Sequence, residues 1–149
     1  MSYEAKNTYA AMFSGVLIFG VYYFVVSGMH AEGRFEGADA LALLGKVILS
    51  VMLGGIILHI VVTILMHIVM AVITRDESPS FVVDERDKHI ELRGLQVSYY
   101  IFSAGFIGAI IAMALGVSAF AVINLLFACC AFGTFTEGFL KLFLYRRGF

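Results

Sequence analysis

His59, Thr63 and His67 stand at i, i+4 and i+8 inside one apolar stretch. On a helix they fall along one side, drifting about 40° per step. Histidine in a membrane span is expensive and faces the protein interior, where it suits a proton-sensitive, metal or haem site. At about 12 Å apart along the axis, His59 and His67 are too far apart to share one metal, so each needs partners from another helix or subunit. The plainer alternative is two polar residues hydrogen-bonded within a bundle. Glu137 and Lys141 form a second constellation, acid before base at i+4, the favourable order on a helix. With Arg146 at the inner boundary, Glu137 lies about 13 Å deeper. An unpaired carboxylate there is costly, so Lys141 is its expected partner, its ammonium reaching back toward the interface. Beyond a structural pair, the carboxylate suits proton relay or ligand sensing. Asn124, on the same stretch, is expected to hydrogen-bond between helices, worth about 1 kcal/mol.

The elements that position these residues follow from composition. Of 149 residues, 61% are hydrophobic and 14% charged, and mean hydropathy is +0.95. A soluble domain is nearer 45–50% apolar and about 25% charged. This excludes a cytosolic enzyme, a disordered regulator and a basic nucleic-acid binder, and predicts no direct nucleic-acid binding. The expected fold is an all-α membrane protein, one domain with four transmembrane helices in a bundle. The spans are residues 9–29, 43–73, 97–115 and 119–145, each near or above the roughly 20 residues a bilayer demands. The first reads as an uncleaved helix rather than a signal peptide. Basic residues set the orientation. Lys6, Arg75, Arg86, Lys88, Arg93, Lys141, Arg146 and Arg147 fall on one side, against Arg34 and Lys46 on the other. Both termini are therefore expected in the cytoplasm, the chain being multi-pass.

Charge concentrates in the cytoplasmic segment, about residues 74–96. Residues 74–80 read as a turn around Pro79, the sole proline, and Phe81-Val82-Val83 as extended. Asp84 is an expected N-cap, with Asp87 three residues on and Lys88 its i,i+4 partner. With no strong breaker, one helix of roughly 47 Å runs from about residue 84 to 115, its first turns extended into the cytoplasm. Small-residue rows predict close helix approach, intramolecular or dimeric: Ala104, Gly108, Ala112 and Gly116, with Gly105 and Ala109 beside them, and Ser50 with Gly54. Gly116-Val117-Ser118 reads as a tight hairpin. Cys129 and Cys130 read as two small buried apolar residues, and the acidic loop 30–39 as solvated. No metal site, hydrolase nucleophile with its base, or phosphate loop is legible, so no catalytic residue and no resident cofactor is assigned.

The run Asp84-Glu85-Arg86-Asp87-Lys88-His89-Ile90-Glu91-Leu92-Arg93, with Ser98-Tyr99-Tyr100 after it, and the ending Leu144-Tyr145-Arg146-Arg147-Gly148 are distinctive. Together they resemble a family of small bacterial four-helix inner-membrane proteins of unknown function, across about the C-terminal half. The Glu137-Gly138 step departs from that pattern, glycine being a weak helix position. Members are often encoded beside helix-turn-helix regulators, which implies membrane control of a transcription factor. The reading that follows is a non-enzymatic regulatory or sensor protein, a homo-oligomer, first a dimer. Its signal would be felt at His59, Thr63, His67, Asn124, Glu137 or Lys141. Its partner would be held by Asp84, Glu85, Arg86, Asp87, Lys88, Arg93, Arg146 and Arg147. The alternatives are a small proton-coupled transporter or channel, and a haem- or quinone-binding redox protein.

Overall fold

The structure, a computed structural model, describes residues 3–74 and 84–147. The turn around Pro79 and the extended Phe81-Val82-Val83 lie outside the described residues. The chain forms α1 (Tyr3–Ala31), α2 (Ala40–Thr74), α3 (Glu85–Ala114) and α4 (Ala119–Arg147). All four are long and apolar enough to cross a membrane. The third is one unbroken helix of 30 residues, about 45 Å long by helical rise. Asp84 occupies its N-cap position but makes no side-chain cap. Lys88 pairs with Glu85 at 2.7 Å rather than with Asp84. The i,i+3 partner thus displaces the expected i,i+4 one.

Two helices stop in the same way. Gly33 and Gly116 take φ of +71° and +83°. Arg34 N–H donates to Met29 O at 3.1 Å, and Val117 N–H donates to Ala112 O at 3.0 Å. These are Schellman turns, in which glycine supplies the left-handed residue and the last carbonyls are satisfied. Ser118 then starts α4, its Oγ accepting from Ala121 N–H at 3.3 Å. The predicted hairpin is therefore two caps back to back.

The bundle is open. α3 packs most extensively on α4, α1 packs on α2 and on α4, and α2 barely reaches α4. In space the order is α2, α1, α4, α3. Flanked on both sides, α1 buries Ala10, Ser14, Tyr22 and Val26, while α2 leaves Leu53, Ile57, Val72 and Ile73 more than 60% exposed. Glycine sets how closely the helices approach. A Cβ on Gly105 would meet Cys129 Sγ at 2.5 Å, and one on Gly138 would meet Met12 Cγ at 2.5 Å. The weak helix position at Gly138 is thus the seat for a methionine of α1. Within the chain only one of the small-residue rows is covered. Gly105 and the buried Ala109 face α4, whereas Ala104 and Gly116 are exposed and nothing lies within 4 Å of a Cβ at Gly108. On α2, Gly55 packs on Ile18, and neighbouring Gly54 is open. Cys129 packs on Gly105, but Cys130 is exposed, not buried. Adjacent helical residues point about 100° apart, so only one can enter the interface.

Candidate functional site

One end of the bundle holds a polar cleft of about 380 Å³ to which all four helices contribute. α4 supplies Glu137 and Lys141, one turn apart. The predicted pair is present, with Lys141 Nζ donating to Glu137 Oε1 at 2.7 Å. A third member comes from α3, for the same ammonium donates to Glu91 Oε2 at 2.6 Å. The lysine side chain is only 12% exposed, against 21% for Glu137 and 41% for Glu91. Two carboxylates thus share one cation, a group with one net negative charge. Gly94 makes this geometry possible, since a Cβ there would meet Lys141 Cε at 2.6 Å.

α2 supplies His59 and Thr63. Nδ1 of His59 lies 2.8 Å from Ser14 Oγ, and that hydroxyl donates its one proton to Ala11 O at 3.1 Å. Two turns on, His67 Nε2 donates to Asn7 Oδ1 at 2.8 Å. The histidines are therefore two rungs that fasten α2 to α1, each on its own partner. Between them, Thr63 Oγ1 is buried at the cleft with no hydrogen-bond partner among the described residues. A buried hydroxyl left unmade costs about 1–3 kcal/mol, and a polar cavity of this size answers that by holding water or a ligand.

The cleft gathers His59, Thr63, Glu137 and Lys141. His67 stands beside it through Asn7. Asn124 is at the other end of α4, where Tyr22 O–H donates to its Oδ1 at 3.0 Å and its Nδ2 donates to Phe120 O at 2.8 Å. It does bond between helices, as expected. Of the charged residues, Arg86, Asp87 and Arg146 share an end pocket with Tyr145. Glu85 and Lys88 pair with each other, Asp84 and Arg93 are exposed, and Arg147 sits 4.5 Å over the Phe143 ring. Among the described residues no three His, Cys, Asp or Glu side chains are grouped to hold a metal ion.

Sequence reasoning missed Glu91, Asn7 and Ser14. Glu91 precedes Gly94 by three residues, the spacing of one helix face. Asn7 and Ser14 are seven apart on an apolar helix, close to the eight that separate His59 from His67. Comparison with known protein families, curated proteins and solved structures finds no match.

Proposed function

We propose that the protein is a multi-pass membrane regulator or sensor, not an enzyme, whose charged α3 start engages a soluble partner. One observation carries this reading: Glu91, within the charged first turns of α3, is bonded to the Lys141–Glu137 pair at the cleft. A proton or ligand that alters the pair alters what holds the α3 start in place. The same helix leaves Leu92 and Leu95 exposed beside the charges, which suits a protein partner better than bare solvation. The basic-residue count supports a cytoplasmic location for this end, and the family resemblance supports a bacterial inner membrane. The partner class is the helix-turn-helix regulator that the family resemblance implies. A homodimer belongs to the reading, with the uncovered Ala104–Gly108 row suited to close approach of a second copy.

A photo-crosslinker at Leu92 tests it. A covalent adduct with that regulator is expected, lost when Asp84, Glu85 and Asp87 are reversed to lysine and changed in yield by Lys141→Met. An adduct indifferent to both changes, or none at all, overturns the reading. A second reading, proton-coupled transport, is favoured by the Thr63 hydroxyl, unpartnered among the described residues, lining one cleft with His59 and Glu137. Liposome flux unchanged by Glu137→Gln and His59→Ala removes it.

A further inference from the structure

Beside the cleft, the same end of the bundle carries a smaller pocket of about 190 Å³ between the starts of α1 and α3 and the end of α4. Its polar groups are mostly donors. The guanidinium groups of Arg86 and Arg146 line it, with Asp87 offsetting one of the two charges. Arg146 Nη2 donates to Tyr9 Oη at 3.5 Å, leaving the Tyr9 proton free to donate. Tyr145 lines the pocket too, its Oη buried and with no hydrogen-bond partner among the described residues. Two guanidinium groups and two phenol protons meeting in one place suit phosphate oxygens, the acceptors arginine binds best.

The pocket does not stop there. Tyr9, Leu142 and Arg146 also line the mouth of an apolar groove of about 450 Å³ that runs along the α1–α4 seam between Phe13, Val16, Phe139 and Phe143. Gly138 lets Met12 in close at this seam. We infer that this composite site binds one anionic phospholipid, the phosphate held by Arg86, Arg146, Tyr9 and Tyr145 and an acyl chain laid in the groove. Charge selects the lipid class, because two guanidinium groups outnumber the one carboxylate of the lining and face an apolar slot, while Glu4 and Glu91, which act on Tyr145 together with Asp87, line the neighbouring cleft instead. A free phosphate would use the donors and leave the groove empty, so the groove favours the lipid. The inference rests on the membrane reading above but needs neither a soluble partner nor proton sensing at the cleft.

The test uses the full chain, purified in a mild neutral detergent and delipidated. Phosphatidylglycerol, phosphatidylcholine and inorganic phosphate are added separately, with binding read by native mass spectrometry and thermal midpoint. Retention of phosphatidylglycerol at least tenfold above phosphatidylcholine is expected, with no midpoint shift from phosphate. Arg86→Gln with Arg146→Gln should remove that preference. Tyr145→Phe deletes one hydroxyl without disturbing packing, so it decides the matter if the arginine variants do not fold. It should lower phosphatidylglycerol retention severalfold while leaving the midpoint in phosphatidylcholine unchanged. Equal retention of both lipids, a phosphate shift matching the lipid's, or full retention by Tyr145→Phe overturns the site.

Discussion

The two ends of this bundle solve the same packing problem in opposite ways. At the end bearing the glycine caps, rings fill the space. Tyr22 is fully buried with Val26 and Leu44, stacks on Phe127 at 4.2 Å between centroids, and bonds Asn124. His30 stacks on Phe120 at 5.1 Å, and Phe35 tilts against Phe120 at 4.9 Å. The loop expected to be wholly solvated is thus pinned by one phenylalanine, while its Glu32 and Arg34 stay exposed. At the other end the helices leave polar groups facing a cavity and are joined around it by a shared ammonium and two histidine rungs. The difference shows that the helices are able to pack tightly, so the cleft is a local property of the residues that line it.

Three sets of substitutions sharpen that contrast. Tyr22→Ala should be the largest, removing a fully buried ring and its hydrogen bond at a cost of about 3–5 kcal/mol, with Tyr22→Phe losing only about 1 kcal/mol. Thermal unfolding followed by circular dichroism reads both. Similar midpoints for the two variants would mean the ring end is looser than described. Next is Lys141→Met, which strands Glu91 and Glu137 beside each other. Breaking a buried pair costs about 3–5 kcal/mol, and these partly exposed carboxylates lower that to about 1–3. Adding Glu91→Gln and Glu137→Gln should recover most of the loss, since the penalty lies in stranded charge rather than in the missing bond. No recovery would mean that Lys141 acts through packing alone. The smallest effect belongs to Ser14→Ala, about 1 kcal/mol or less on the midpoint. It should still speed amide exchange along α2 near His59 and leave α3 and α4 unchanged. Uniform exchange across all four helices would deny that the rung fastens α2 in particular.

The helices themselves were legible because length and apolarity decide them. The unbroken third helix was read as residues 84 to 115 and runs Glu85–Ala114. What sequence could not set was rotation. A helix apolar nearly all round has no face to read, so Ala104–Gly108 and Gly105–Ala109 were equivalent on paper until Cys129 chose the second row. Glu137 with Lys141 was legible because both residues sit on one helix. Glu91 was hidden in a run of charges, fifty residues from the lysine it binds, and its three-residue spacing from Gly94 is the one local mark that it turns inward. The histidine rungs were half legible: their side of α2 followed from spacing, but their partners on α1 did not.

The packing order α2, α1, α4, α3 also bears on how the chain assembles. α1 with α2, and α3 with α4, are neighbours in sequence as well as in space, so each couple closes a short loop and can form early. Only the α1–α4 seam joins residues a hundred positions apart, with Tyr22 to Asn124 its longest-range bond at that end. The molecule is thus two helical hairpins zipped chiefly along the α1–α4 seam, with a small α2–α4 contact beside it. The zip carries the aromatic stack at one end and the phosphate pocket with its groove at the other. Whatever occupies that groove acts on the last joint to close.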